Sequence, residues 1–299
     1  MLLYSYIKKY TQILIFLCME TFGHNIPDRL YLKIKFRINM GYRLDLDRPQ
    51  TYNEKLQWIK LYDRNPVYTI MADKIEVKDY VSELLGGDEH VIPTLGIYEN
   101  ANDIDFDSLP DQFVLKCSHD SGSSIVCVDK SVFNKKTAIS KLNKHLKMNY
   151  YYKDREWPYK DIKPRIIVEK YMYDDHCRTE RIHDYKFFCF NGKVDSVLVC
   201  TGRDSNLNYY YFTPNWDFLR WDVDTQYLPQ GFTLPQPENL SEMITIAEKL
   251  SSKVNHVRVD LYNISGKIYF GEYTFFTNRG IDDTITKECD LYLGDKLCI

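Results

Sequence analysis

The 299-residue chain predicts an α+β fold built on antiparallel sheets, on three observations. Apolar, strand-like runs come in adjacent pairs, and the pair at 184–190 and 193–200 flanks Asn191-Gly192, the strongest short hairpin signal. Helical stretches fall between these pairs rather than between single strands, which speaks against a doubly wound parallel sheet. The length suits about two domains.

Taken in order, residues 1–50 are apolar and basic and read as a helical N-terminal extension. Thr51-Tyr52-Asn53-Glu54 is a capping box, in which the Thr side chain and Glu54 serve each other's orphan amides. It opens a helix with Leu56, Ile59 and Tyr62 at helical spacing, and a second helix runs over 67–85 to Gly86-Gly87. Residues 91–98 read as a short strand. Residues 112–117 and 125–128 form a hairpin with a long Ser/Gly-rich tip, followed by a basic helix over 135–149. The Tyr/Trp/Pro-rich stretch 150–164 crosses to a buried strand at 165–171. After the Asn-Gly hairpin come a loop-rich region, a helix at 241–251, and a last hairpin at 256–262 and 267–275. The domain plan is an extension at 1–50, a preceding region at 51–110, a small lobe at 111–163 and a large lobe at 164–299.

Composition excludes several function classes. Lys+Arg 39 against Asp+Glu 42 gives a net charge of -3, which disfavours a nucleic-acid binder dependent on neutralised phosphates. The eight cysteines form no CxxC or zinc-ligand pattern, and a reducing cytoplasm fits them better than a disulfide scaffold. The apolar run 13–19 is too short to span a bilayer. A cytoplasmic location is expected, with peripheral contact at the inner membrane face left open by that run. Aromatic residues make up 15% of the chain, readable as codon bias or as platforms for bases and sugars.

The last hairpin carries the most chemical information. Alternation puts Arg258, Asp260 and Tyr262 on one strand face. A three-residue turn with Gly266 left-handed sets Arg258 opposite Glu272 and Asp260 opposite Phe270, whereas a two-residue turn flips Glu272 to the other face. Two carboxylates beside the Thr274 hydroxyl suit Mg²⁺, which prefers hard oxygens and shares its shell with phosphates. The same pattern also reads as a cross-strand ion pair on a solvated face. Lys116 ends an apolar strand before His119, Ser121, Gly122 and Ser123, a loop able to surround phosphates although it lacks the Walker pattern. Asp184 and Lys186 share a strand face, and Glu169-Lys170-Tyr171 ends a buried strand that could meet a purine edge.

These elements, in this order, resemble the ATP-grasp superfamily. Further segments resemble its TupA-like family, which is associated with teichuronopeptide and other bacterial surface polysaccharides. They are Pro49-x-Thr51-Tyr52-Asn53-Glu54-Lys55-Leu56-Gln57-Trp58, Ala72-Asp73-Lys74, Phe113 to His119, Arg155-Glu156-Trp157-Pro158-Tyr159, Asp184 to Lys193 and Val257-Arg258-Val259-Asp260. The resemblance implies two α+β lobes holding Mg-ATP. Lys116 and Lys186 would hold phosphates, with His119, Ser121, Gly122 and Ser123 around them. Glu169, Lys170 and Tyr171 would line the adenine pocket, with Phe188 and Phe190 among its walls. Asp184 would face nucleotide or substrate, Arg258 would stabilise the transferring phosphate, and Asp260, Glu272 and Thr274 would bind Mg²⁺. The implied reaction is ATP-dependent formation of an acyl phosphate on a small or polysaccharide-linked carboxylate, then attack by an amine. Two departures stand out: Asp120 follows His119 where the family tends to have glycine, and Phe276-Thr277-Asn278-Arg279-Gly280 replaces a Pro/Gly-rich turn. A glycosyltransferase, suggested by Asp222-Val223-Asp224, and a nucleotide-binding protein without ligase activity are the competing readings.

Overall fold

The computed structural model describes residues 23–173, 184–202 and 207–299. The apolar run 13–19 lies outside the described residues. None of the described helices is long and apolar enough to cross a membrane.

Helix α1 (Asp28–Met40) buries Tyr31, Leu32 and Phe36 against Leu44 and Leu46, and ends at left-handed Gly41. Helix α2 (Tyr52–Tyr62) starts at the expected capping box, with Glu54 N–H donating to Thr51 Oγ1 at 3.2 Å and Glu54 receiving the Thr51 N–H at 3.2 Å. The single helix expected over 67–85 is two helices, α3 (Val67–Ala72) and α4 (Glu76–Leu85). Asp73 causes the break: its Oδ1 takes the Ile75 N–H at 2.9 Å, a local bond that competes with the helix. The Lys74 N–H leaves the helix for Ser118 O at 3.2 Å, so the break ties this segment to the Ser/Gly loop.

Strands β1 (Thr94–Tyr98), β2 (Phe113–Cys117) and β3 (Ile125–Cys127) are followed by helices α5 (Lys135–Leu146) and α6 (Tyr151–Asp154) and by β4 (Ile166–Lys170). They form an antiparallel sheet in the order β1-β4-β2-β3. This sheet draws on residues either side of the divisions at 110 and 163: β1 pairs with β4, and β4 also pairs with β2, setting Glu169 beside Val114 and Thr94. Helix α5 covers one side through Ala138 and Leu142, which pack with Phe113, Leu115 and Val168.

The second sheet contains β5 (Asp184–Phe190), β6 (Lys193–Thr201), β7 (Asn208–Phe212), β8 (Phe218–Leu219), β9 (His256–Ile264) and β10 (Lys267–Thr274), in the order β10-β9-β5-β6-β7-β8. Helix α7 (Leu240–Ser251) presents Met243, Ala247 and Leu250 to one face, where Phe187, Val257, Val259 and Leu261 are buried. The opposite face is apolar at one end and charged at the other. At the apolar end α2 lays Tyr52 on Phe188, Phe190 and His256, with ring centroids 6.4, 6.4 and 5.3 Å apart. Phe188 and Phe190 are therefore core residues under α2 rather than walls of a nucleotide pocket. Helix α8 (Lys287–Lys296) packs beside α2, and Lys55 Nζ donates to Gly294 O and Leu297 O at 2.7 and 2.9 Å.

The last hairpin corrects the expected register. Its turn has two residues, Ser265 and Gly266, both left-handed (φ 50 and 80), so Phe270 faces Leu261. Such a turn alone would carry Glu272 to the helix-covered face. A bulge at Gly271 inserts one residue and restores the parity, setting Glu272 opposite Asp260 and Thr274 opposite Arg258. Glycine suits that place, since a Cβ there would sit 3.0 Å from the Tyr262 ring and 3.1 Å from Asp260 O.

Candidate active site

The charged end of the second sheet gathers residues of three strands, β5, β9 and β10. Register places Lys186 beside Asp260 and Asp184 beside Tyr262, while Glu272 and Thr274 stand across from Asp260 and Arg258. Asp260 is 2% exposed and receives two parallel hydrogen bonds from Arg258, from Nε and Nη2 at 2.7 Å each. Lys186 Nζ contacts Asp260 Oδ2 and lies 2.5 Å from Asp184 Oδ2. Arg258 Nη2 also donates to Thr274 Oγ1 at 2.9 Å. Burial by itself would raise the Asp260 pKa, but Arg258 and Lys186 overcome it and hold the carboxyl below its ordinary value. Burial likewise opposes the Lys186 charge, and Asp260 and Asp184 outweigh it, so its pKa rises.

Glu272 differs from these groups. Its side chain is 54% exposed and, among the described residues, its one ion-pair contact is Arg258 Nη2 at 4.0 Å. Asp260, Glu272 and Thr274 thus put two carboxylates and a hydroxyl on one face, a hard-oxygen donor set of the kind Mg²⁺ takes. Among the described residues no group of three or more His, Cys, Asp or Glu side chains is placed to hold a metal ion.

The first sheet contributes a second charged group. Glu169 is buried between two lysines: Lys116 Nζ lies 2.7 Å from Oε2 and Lys78 Nζ 2.6 Å from Oε1. Desolvation works against the Glu169 charge, and the two ammonium groups win, so its pKa is lowered. Lys170 is exposed, its N–H spent on Pro93 O at 3.0 Å, and the half-buried Tyr171 stacks on Tyr173 with centroids 6.2 Å apart.

The loop after β2 is anchored below and open at its tip. His119 is buried, with Nε2 directed at His145 O and Met148 O at 3.2 and 3.1 Å, so its ring fixes the loop to the end of α5 instead of facing the tip. Ser123 Oγ bridges the Cys117 N–H at 2.8 Å and Asp120 Oδ1 at 2.6 Å. Asp120 is buried as well, its second oxygen held by His145 Nδ1, so both of its oxygens are committed within the base of the loop. Ser121 and Gly122 are exposed, and Gly122 is left-handed at φ 96 with open space around it, which glycine adopts without strain.

Two cations escaped the sequence reading. Lys74 lies between the sheets: its Nζ donates to Asp120 O, and its electrostatic neighbours are Glu272, Asp120, Lys116 and Glu169. Burial pushes its pKa down against the attraction of those carboxylates. Lys78, one helical turn on, is the second partner of Glu169. The Ala72-Asp73-Lys74 motif pointed to this segment, but only the helix break shows why Lys74 faces the loop.

Two antiparallel sheets, each presenting lysines and carboxylates, with a Ser/Gly loop between them, define an ATP-grasp fold of the α+β class. The chain belongs to the TupA-like ATP-grasp family, whose model matches residues 54–298. Among solved structures, the chain resembles D-alanine–D-alanine ligase from Bacillus anthracis complexed with ATP, at 16% identity and a TM-score of 0.41, over 69% of this chain and 55% of that one. It resembles the Helicobacter pylori D-alanine–D-alanine ligase at 15% identity and a TM-score of 0.45, over 84% and 70%. The biotin carboxylase domain of Hydrogenobacter thermophilus 2-oxoglutarate carboxylase, in complex with MgADP, matches at 14% identity and a TM-score of 0.45, over 84% and 52%. No curated protein matches the chain.

Proposed function

We propose that this protein is an ATP- and Mg²⁺-dependent carboxylate–amine ligase that works through an acyl phosphate in bacterial surface-polysaccharide biosynthesis, on the cytoplasmic side of the membrane. Family membership supports the class. The observation that carries the reading is the face shared by Lys186, Arg258, Asp260, Glu272 and Thr274, set near Lys74 of the helix break and Lys116 of the other sheet. Phosphoryl transfer asks little covalent chemistry of a protein and much positioning and charge neutralisation, which this array offers.

In this reading Lys74, Lys116 and Lys186 bind the phosphates, and the exposed Ser121–Gly122 tip offers backbone N–H groups and the Ser121 hydroxyl to their oxygens, while Ser123 braces the loop from below. Glu169 holds Lys116 and Lys78 in place, and Lys170 and Tyr171 border the base. Arg258 stabilises the phosphate in transfer. Asp260, Glu272 and Thr274 hold Mg²⁺, which when bound would neutralise phosphate charge. Asp260 is already bonded to Arg258 and Lys186, so metal binding would exchange cationic partners at that carboxylate. His119 and Asp120 serve the loop's foundation.

The glycosyltransferase alternative loses its support, because Asp222 is buried and caps a turn, accepting the Asp224 N–H at 2.8 Å. The test is phosphate release from ATP over a panel of uronic acids and amino acids. Release that needs Mg²⁺ and collapses in Lys116→Ala supports the ligase. Undiminished release in that variant, with the fold intact, refutes it.

A further inference from the structure

A cavity of about 290 Å³ opens where the C-terminal end of α2 meets the residues between α7 and β9. It lies at the end of β9 and β10 that carries Arg258 and Thr274: His256 and Phe275, two and one residues along the chain from them, belong to its lining. The described lining includes no residue assigned to phosphate or metal. This volume stands at the lower limit for a small-molecule site, about 300 Å³, and suits a single ring rather than a nucleotide or a peptide.

Part of the lining is aromatic and held in place. Trp58 and Tyr62, one helical turn apart on α2, meet with ring centroids 4.9 Å apart and planes at 52°. Tyr62 is 46% exposed, and its hydroxyl accepts from Arg29, which also donates to Asp47 Oδ1 at 2.7 Å. Tyr68 and Phe275, both buried, pack on each other at 4.3 Å. The polar part of the lining keeps unused hydrogen-bond capacity. Asp63 accepts from Tyr68 Oη at 3.0 Å and from the Asn65 N–H at 3.3 Å, one bond to each oxygen, and each oxygen can accept another. Among the described residues, Trp58 Nε1, Asn65 Nδ2 and the Asn255 side-chain amide have no hydrogen-bond partner. Lys253 Nζ lies over the Tyr80 ring at 5.9 Å, so the open donors beside the aromatic pair are neutral.

We propose that this cavity binds one pyranose ring of a saccharide, its C–H face laid on Trp58 and Tyr62 and its hydroxyls bonded to Asp63, Asn65 and Asn255. A pyranose presents weakly positive C–H groups on a flat face, which the negative face of an aromatic ring attracts. Its rim carries hydroxyls that both donate and accept; the carboxylate takes the donated protons, and the amide and indole N–H groups meet the lone pairs. A purely apolar ligand would bury those polar groups unpaired. The site goes beyond the ligase reading and does not depend on it, since its residues hold neither phosphate nor metal.

The test is saturation-transfer NMR on the full chain, without nucleotide, over the methyl glycosides of glucose, galactose, N-acetylglucosamine and glucuronic acid. Sorbitol serves as an open-chain polyol that lacks the ring face. At least one glycoside is expected to bind about tenfold or more tightly than sorbitol. Trp58→Ala is expected to weaken that binding about tenfold or more. Because Trp58 also packs on the core, the exposed Asn255→Ala is a second variant, expected to weaken it about threefold or more with an unchanged melting temperature. Trp58→Phe is expected to keep binding and lose the sugar-induced change in tryptophan fluorescence. AMP-PNP affinity, read by calorimetry, is expected to be the same in wild type and Asn255→Ala. Absence of glycoside binding, equal binding of sorbitol, or full affinity in Asn255→Ala or in a folded Trp58→Ala would overturn the site. A fall in AMP-PNP affinity in Asn255→Ala, with melting unchanged, would place the sugar at the charged face and overturn the cavity. Sugar binding by a wild type that fails to bind AMP-PNP would support the cavity and count against the ligase reading alone.

Discussion

His256 locks α2 to the charged sheet, and its protonation provides a measurable lever on that contact. Its Nε2 lies 2.8 Å from Tyr52 Oη and its Nδ1 2.9 Å from Cys189 O, and its ring stacks on Phe190 with centroids 4.5 Å apart. Burial among these groups pushes its pKa from 6.5 down to about 4, so the folded protein holds the neutral ring at pH 7. The unfolded chain therefore binds the extra proton between pH 6.5 and 4, and stability falls as pH falls through that window. At about 1.36 kcal/mol per pKa unit, full titration removes about 3 kcal/mol. In His256→Gln that contribution is absent, while two buried hydrogen bonds are lost or weakened, at about 1–3 kcal/mol. Urea unfolding of both proteins at pH 7 and pH 4 should show wild type ahead at pH 7 and that lead shrinking by about 3 kcal/mol at pH 4. Comparing the two proteins cancels the titration of every other group. A lead that stays constant with pH would refute the assignment of a buried neutral imidazole.

Four further outcomes follow from the geometry. Glu169→Gln leaves Lys116 and Lys78 without their shared carboxylate and should cost about 3–5 kcal/mol in urea unfolding at pH 7, the scale for breaking a buried ion pair. Gly280→Ala places a Cβ 2.9 Å from Leu56 Cβ at φ 62, and thermal unfolding should show a loss of about 1–3 kcal/mol with a weakened α2 contact. Glu156→Gln removes a carboxylate whose folded pKa is raised, a group whose charge lowers stability as pH rises from 4.5 through about 7. The variant should therefore be more stable than wild type at pH 8 and lose that gain near pH 4, as read by thermal melts. Glu272→Gln, at an exposed site, should leave the melting temperature within the range of ordinary surface substitutions, about 0.5 kcal/mol.

Local signals carried much of the fold. The capping box at Thr51 and the Asn191-Gly192 hairpin are each specified by a few adjacent residues, and they stand in the structure as the sequence predicts. The helix over 67–85 was legible in periodicity but not in its break, because Asp73 prefers a local bond and Lys74 pairs with a loop far along the chain. The terminal hairpin shows the same limit. Turn length and the bulge at Gly271 each shift parity by one, so the shared face of Asp260 and Glu272 was reached through a wrong register. In the site, the alternation of Arg258 with Asp260 and of Asp184 with Lys186 was visible in sequence. Lys78 was not, since nothing local links a lysine on a helix to a glutamate on a distant strand. His119 read as a phosphate contact because loops usually expose histidine, whereas the end of α5 buries this one.

On the ligase reading we propose, the charged face between the two sheets binds nucleotide through Mg²⁺. Titration calorimetry of ATP into wild type and Glu272→Gln, with and without Mg²⁺, tests it most directly, because Glu272 is exposed and its replacement spares the buried network. The expected result is ATP binding by wild type that strengthens about tenfold or more with Mg²⁺, and a variant that stays folded but loses that enhancement. ATP binding by wild type that ignores Mg²⁺, or a variant that keeps the full enhancement, would contradict it.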